Sequence, residues 1–155
     1  MAQAAEAAML LEKAQSSFDQ CLAKEEDLVE LVQAAEKALT IYRELRDGAG
    51  IISALTAQIH CLITQAADEV EYNPSEALRV ATEELEAFTA AGDRQGKIAM
   101  MLSLAEINMD RRGPARRDEA LAMAKMAKAL CTELDDRPLE ARCAQVLAKV
   151  LIKIC

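Results

Sequence analysis

The chain has 155 residues, the length of one ordinary domain, and it is 52% hydrophobic and 28% charged, which excludes an intrinsically disordered protein. It has only five Gly, three Pro, two Tyr, two Phe and no Trp, so it lacks the turn and strand formers that an all-β fold requires. Its net charge of −8 repels phosphate backbones and anionic membranes, so neither nucleic acid nor such a membrane is an expected partner.

Strong helix formers dominate the sequence, and helix breakers divide it into about seven predicted helices. Ser75 is a typical N-cap, Pro138 suits the first turn of a helix, and Gly113-Pro114 is a typical break between helices. In chain order, the helices are predicted at about residues 2–22, 26–47, 50–71, 75–91, 93–111, 115–134 and 138–155. The sequence therefore predicts an all-α protein.

The second, fourth and sixth predicted helices share one apolar row with the spacing of a helix face. The rows superpose with offsets of 46 and then 43 residues. They consist of Val32, Ala35, Leu39 and Tyr42, of Leu78, Ala81, Leu85 and Phe88, and of Leu121, Ala124, Lys128 and Cys131, where Lys128 is the one polar exception. Asp47, Asp93 and Asp136 follow the rows at the same offsets. The register continues into the next helices, aligning Ile52, Ile98 and Ala141, then Leu55, Met101 and Ala144, then Ile59, Ala105 and Ala148.

These offsets define a repeat of about 43–46 residues that contains two helices and occurs nearly three times. One such helix pair cannot bury its apolar row alone, so neighbouring pairs must stack into an α-solenoid of about seven antiparallel helices. We predict one domain over residues 1–155, with an N-terminal helix at 1–25 and repeats at about 26–72, 73–115 and 116–155. An irregular helical bundle with chance alanine periodicity is the alternative.

The repeats resemble tetratricopeptide repeats of a long, degenerate type. The resemblance is carried by Glu76-Ala77-Leu78-x-x-Ala81 and Glu119-Ala120-Leu121-x-x-Ala124, each followed by an acidic turn, and by the Leu-small pairs Leu104-Ala105 and Leu147-Ala148. The period is longer than in that family, Asn108 stands where an aromatic residue is common, and Gln58-Ile59 replaces the first Leu-small pair. The resemblance covers about residues 26–155. It implies a right-handed superhelix that binds a protein or peptide in a groove lined by the third, fifth and seventh helices.

Polar residues on the fifth and seventh helices are the candidate groove residues: Lys97, Asn108, Arg142, Lys149 and Lys153. If these helices line the groove, the basic side chains would bind acidic groups of a partner. The whole acidic excess lies in residues 1–76, which would face a basic partner segment instead. The third helix contributes Gln58 and His60 but no base, so a carboxylate-gripping pattern across three helices is incomplete.

Four arginines lie within seven residues at the break between the fifth and sixth helices: Arg111, Arg112, Arg116 and Arg117. Guanidinium groups bind phosphates and carboxylates, so this loop is a candidate anion site. The alternative is an ordinary solvated loop, because Asp110, Asp118 and Glu119 flank the arginines and leave little local charge.

The last predicted helix is unusually apolar at its end, and Val150, Leu151 and Ile154 are candidate partner-binding residues there. A terminal helix of a solenoid usually has a polar outer face, so an exposed apolar patch would indicate self-association, docking into a larger assembly, or a longer repeat array. Leu10 and Leu11 with Phe18 and Leu22 form a weaker equivalent in the first helix. The alternative is a helix buried on two sides in a compact bundle.

Catalytic and cofactor signatures are missing from the sequence. His60 is the only histidine and has no nucleophile or carboxylate motif near it, the cysteines show no metal-ligand spacing, and there is no phosphate-binding glycine loop. Five cysteines without a CxxC motif are read as buried apolar side chains in a reducing, intracellular compartment. We expect no enzyme activity, metal or cofactor, no signal peptide, and no apolar run of 18 residues that would form a transmembrane segment.

These patterns together favour a non-catalytic module that binds a peptide or helix of another protein through its groove and its apolar end. A structural accessory subunit of a larger complex is the first alternative. A small helical enzyme or ligand-binding bundle with His60 or Cys61 in an enclosed pocket is the second.

Overall fold

The computed structural model of the chain describes residues 1–16, 25–67, 72–111 and 113–154. These residues form seven α-helices and no strand, which confirms the all-α prediction. The helices are α1 (Ala2–Ser16), α2 (Glu25–Leu45), α3 (Gly48–Ala67), α4 (Ser75–Ala91), α5 (Arg94–Met109), α6 (Pro114–Cys131) and α7 (Arg137–Ile154). The predicted Phe18, Cys21, Leu22 and Cys155 lie outside the described residues, as do the ends predicted for the first and third helices beyond residues 16 and 67.

The helices form two compact units, one over Met1–Pro74 and the other over Ser75–Cys155. In the first unit, α2 packs against α1 and α3, and α1 also packs against α3. One alanine from each helix meets in the centre, namely Ala14, Ala35 and Ala57, and the thiol Sγ of Cys61 lies 3.8 Å from the carbonyl oxygen of Ala14. Small side chains at the crossing allow three helix backbones to approach closely, which is the packing that the repeat pattern requires.

The second unit is organised around α5. This helix packs against α4, α6 and α7, and eleven of its 16 residues are buried. The side of α5 that carries Ile98, Met101 and Leu102 shares one apolar cluster with an all-small row on α6, made of Ala120, Ala124, Ala127 and Cys131. Within each unit, consecutive helices therefore pack on one another, as in a helical array.

Each repeat begins its second helix with the same aspartate cap. The carboxylate of Asp47 accepts a hydrogen bond from the backbone N–H of Gly50 at 3.0 Å, Asp93 accepts one from Gly96 at 2.9 Å, and Asp136 accepts one from Leu139 at 3.1 Å. These bonds satisfy amide donors that the first turn of a helix leaves unpaired. The three caps stand at the predicted offsets of 46 and 43 residues, so the repeat is a property of the folded chain as well as of its sequence.

A second shared contact lies just before and after each cap. The ring of Tyr42 lies against the backbone of Gly50, and the ring of Phe88 lies against that of Gly96. The equivalent pair in the third repeat is Cys131 and Leu139, both members of the α5–α6–α7 core cluster. At these positions the third repeat thus has its larger residue second, whereas the first two repeats have it first.

The helices α2 and α4 end in the same way, with one residue in the left-handed region. Arg46 has a φ of 55° and Gly92, 46 residues later, has a φ of 70°. The N–H groups of the following residues Asp47 and Asp93 donate to the carbonyls of Tyr42 and Phe88 at 3.0 Å, which completes a Schellman motif at both ends. A side chain with a Cβ is disfavoured in this conformation, so Arg46 is the less favourable of the two.

Arg46→Gly is expected to raise the free energy of unfolding by about 0.5–1 kcal/mol, because glycine adopts a positive φ without steric cost and Arg46 is exposed. Urea denaturation followed by helical circular dichroism measures the change. Gly92→Ala is the reverse control and should lower the free energy by about 1 kcal/mol. A destabilised Arg46→Gly protein would contradict the left-handed conformation at this turn.

Among the described helices, α3 is long and apolar enough to cross a membrane, since it contains no Asp, Glu, Lys or Arg. This differs from the expectation that no such run exists, because small and hydroxylated residues interrupt the apolar ones without adding charge. Core helices of folded proteins meet the same criterion, and eight residues of α3 are buried. Length and composition alone therefore carry no conclusion about a membrane.

Candidate partner-binding surfaces

A polar strip runs along the contact between α5 and α7. The guanidinium of Arg142 donates to the carbonyl oxygen of Ala99 at 3.3 Å, to Oγ of Ser103 at 3.1 Å and to Oε1 of Glu106 at 3.3 Å. The side chains of Arg142 and Glu106 are only 21% and 12% exposed. A charged pair so far removed from water contributes little net stability, but its several directional bonds select one register of α7 against α5.

The other bases on α7 continue this strip. Nζ of Lys149 lies 4.0 Å from Oε2 of Glu106, and Nζ of Lys153 lies 2.8 Å from a carboxylate oxygen of Asp110. Both lysines remain about half exposed. Arg142, Lys149 and Lys153 thus lie on one side of α7, and each is paired with an acidic side chain of α5 or of its C-cap.

The remaining groove candidates lie on α5 itself. Asn108 is buried, and its side-chain oxygen accepts a hydrogen bond from Arg111 at 3.2 Å. Lys97 is half-buried near the start of the helix. On α3, Gln58 is buried and donates to Glu36 of α2 at 3.3 Å. Asn108 and Gln58 therefore serve packing within their own units rather than an open surface.

Glu106, Ser103 and Asp110 are the functional neighbours that the sequence analysis missed. The signal that finds them is the offset of 43 residues, because it pairs Ala99 with Arg142, Glu106 with Lys149 and Asp110 with Lys153. Equivalent helices of adjacent repeats pack side by side, so residues one repeat apart become neighbours in space.

The three described arginines of the loop, Arg111, Arg116 and Arg117, have different surroundings. Arg111 is half-buried against Asn108, Arg116 pairs with Glu119 at 3.0 Å, and Arg117 is exposed on the first turn of α6. Arg112 lies outside the described residues. Gly113 turns the chain with a φ of 104°, and Pro114 begins α6. The described arginines therefore serve three separate local roles, and anion binding by this loop stays a prediction.

The predicted apolar end of α7 divides into a core residue and a surface. Val150 is fully buried in the same cluster as Cys143 and Val146. Leu151, Ile152 and Ile154 are 44%, 76% and 39% exposed. We name these three exposed residues the α7 apolar end. Val150 is buried and is therefore not part of this surface.

Two cysteines lie together in the core of the second unit. Cys131 at the end of α6 and Cys143 on α7 are fully buried. Burial raises the pKa of Cys143 to about 12, and a hydrogen bond with the Cys131 thiol adds to this effect. The neutral thiol is therefore strongly favoured in the folded chain, which makes it a poor nucleophile.

Cys143 is accordingly expected to resist iodoacetamide in the folded protein at pH 8.5 and to react fully in urea, with mass spectrometry reporting the labelling of each cysteine. Because the folded-state pKa is raised, Cys143 costs stability only above the ordinary thiol pKa, so the free energy of unfolding should fall as pH rises from 9 towards 12. Cys143→Ala should remove that part of the fall. Rapid labelling of Cys143 without denaturant would contradict the buried position.

His60 and Cys61, the two residues considered for an enclosed pocket, differ in burial. His60 is half-buried on α3, whereas its neighbour Cys61 is buried towards Ala14 of α1. Within the described ranges, no group of three or more His, Cys, Asp or Glu side chains is placed to hold a metal ion.

Comparison with protein-family models, with curated proteins and with solved structures finds no match to this chain. The seven described helices are compatible with a helical repeat fold.

Proposed function

We propose that the chain is a non-catalytic helical-repeat module, of the tetratricopeptide type with a right-handed antiparallel stack, that binds another protein through the α7 apolar end and the strip beside it. The observation that carries this proposal is that one capped turn recurs at Asp47, Asp93 and Asp136. In the first two repeats an aromatic ring lies against a glycine beside this turn, and Cys131 and Leu139 hold the equivalent positions in the third. A chain built from one repeated packing unit presents extended surfaces, and such proteins use those surfaces for binding.

The α7 apolar end supports the binding role directly. Leu151, Ile152 and Ile154 follow one another within a single turn of helix and all face water. Burying a large aliphatic side chain is worth about 1.5–3 kcal/mol, so three adjacent exposed ones supply a large share of the free energy of a partner contact. Large exposed aliphatic side chains gathered at one end of a helix are typical of an interaction site.

The strip on α7 supplies orientation rather than affinity. Lys149 and Lys153 hold Glu106 and Asp110 yet stay about half exposed, so an acidic partner segment can share them. Exposed charge pairs contribute about 1 kcal/mol or less each, but they steer association and suppress wrong orientations. We therefore expect binding to weaken moderately, and not to vanish, as salt rises.

Proximity labelling in cells that express the chain tests the proposal. Ile152→Glu should lose the labelled partners of the wild-type protein, because a carboxylate cannot enter an apolar contact without a large desolvation cost. Met126→Glu is the matched control, since Met126 is 58% exposed on α6 and its change should keep the same partners. Circular dichroism first verifies that both variants are folded. Identical partner sets for the two variants would overturn this surface assignment.

A structural accessory subunit of a larger assembly is the second candidate function. It is favoured by a second exposed apolar residue at the other end of the chain, Met9 on α1, which is 67% exposed. A subunit held at both ends predicts that Met9→Glu and Ile152→Glu each release the chain from a fixed-stoichiometry complex during gel filtration of cell extract. A module that binds transiently predicts a largely free chain in the same experiment.

A further inference from the structure

One whole face of α7 is open, and the repeat shows what covers its equivalent. In α5, five residues pack in the apolar cluster that contains the small row of α6: Ile98, Met101, Leu102, Ala105 and Met109. Adding the repeat offset of 43 residues gives the equivalent positions on α7: Ala141, Ala144, Gln145, Ala148 and Ile152. All five are exposed. We name these five residues the open face of α7.

We propose that the open face of α7 binds one amphipathic α-helix of a partner protein, in the place that α6 occupies on α5. This inference rests on the proposed function and names its partner by chemistry. The α5 equivalent of this face is buried in the apolar cluster that α5 shares with α6 and α7, so the same face of an equivalent helix is covered by helices within this chain. The exposed Ile152 belongs both to this face and to the α7 apolar end.

The size of the side chains specifies the apolar face of the partner helix. In the α5–α6 contact, α5 supplies large residues such as Ile98 and Met101 while α6 supplies alanines. On the open face of α7 the corresponding residues are Ala141 and Ala144, so the volume must come from the other helix. We infer leucine, isoleucine or methionine at the i, i+3, i+4 and i+7 positions of the partner. The chain itself shows this exchange where Leu139 replaces Gly96.

Charge specifies the polar face and argues against the pairing of two α7 helices. Arg142 is bonded to α5, but Arg137 is exposed, Lys149 and Lys153 are about half exposed beside their acidic partners, and Glu140 is the one acid of the helix. Two copies of α7 would bring these like charges together, whereas a helix rich in Asp and Glu would complement them. The partner helix is therefore acidic on its polar face.

A labelled synthetic peptide of roughly 20 residues tests the inference, with leucine at helical a/d/e spacing and Glu and Ala elsewhere. Fluorescence anisotropy should show saturable binding to the wild-type chain. Ala144→Gln/Ala148→Gln should weaken it at least tenfold by filling the open face, since both positions are exposed and the change keeps the charge and the helix. Ala122→Gln, at an exposed position of α6, is the matched control and should bind like the wild type.

Two further peptides identify the recognised features. A scrambled peptide of equal composition should bind at least tenfold more weakly because its leucines no longer share one face, and a peptide with Lys in place of Glu should also lose affinity. Equal binding by the scrambled peptide, or by the double-Gln variant, would overturn the inference.

Light scattering of the chain alone tests whether a second copy of the chain occupies the open face of α7. A wild-type dimer that the double-Gln change converts to a monomer would make a second copy the occupant and overturn the partner-helix inference. If the peptide fails while Ile152→Glu still loses its cellular partners, the inference fails and the proposed function stands. If Ile152→Glu keeps all partners while the peptide binds as expected, the proposed cellular surface fails instead.

Discussion

Gly96→Leu is expected to destabilise the second unit by about 3 kcal/mol, because any side chain at this position overlaps the ring of Phe88. The half-buried ring must move aside and lose part of its contact with α5. Urea denaturation monitored by circular dichroism gives the change. Gly48→Leu is the matched control, since a Cβ at Gly48 meets nothing within 4 Å.

The double variant Phe88→Cys/Gly96→Leu tests the repeat relationship itself. It installs in the second repeat the pair that the third repeat carries at Cys131 and Leu139. We expect it to recover about 2 kcal/mol relative to the sum of the two single changes, because the volume removed on one side is returned on the other. Strictly additive losses would show that the two contacts are not equivalent and would weaken the helical-repeat interpretation.

Val150→Glu is expected to unfold the second unit, while Leu151→Glu, one residue away, changes stability by about 0.5 kcal/mol or less. Val150 is fully buried beside Val146 and Cys143, so a carboxylate there would lie in an apolar cluster without a partner. Such a change costs about 3–5 kcal/mol, a large part of the total stability of a domain this size. Leu151 already faces water.

Helical circular dichroism at room temperature separates these two variants without further treatment. Val150→Glu should show a marked loss of helix and a lower urea midpoint, and Val150→Ala should give a smaller loss that reflects missing volume alone. Leu151→Glu should retain the wild-type spectrum. If both glutamate variants unfold equally, α7 is more deeply buried than described and the α7 apolar end is ordinary core.

These variants also separate stability from binding on the same helix. Val150→Glu removes binding by removing the fold, which says nothing about a surface. Leu151→Glu and Ile152→Glu leave the fold intact, so any binding that they abolish belongs to the surface. Binding by variants at buried and at exposed positions must therefore be compared at an equal folded fraction. The Met126→Glu variant on α6 is the folded reference for this comparison.

The helices and their repeat register could be predicted from the sequence because their causes are local. Asp47, Asp93 and Asp136 cap helices through bonds to residues only three positions away, and apolar rows follow the helical period wherever they occur. The spacing between these caps is a property of the chain alone. Helix boundaries before Gly92 and at Pro114 follow from the backbone preferences of those residues in the same way.

The tertiary structure decided which of the apolar and charged residues remain available. Val150 and Leu151 are equivalent by composition, and only the position of α7 on α5 and α6 buries one and exposes the other. Arg142, Lys149 and Lys153 were predicted to be groove bases. In the structure, the carboxylates of Glu106 and Asp110 lie beside them. Burial and ion pairing depend on neighbours far along the chain, whereas caps and periodicity do not. Local sequence patterns therefore predicted the repeated helices and their caps, whereas the packing of α5, α6 and α7 set which face of α7 stays exposed to solvent.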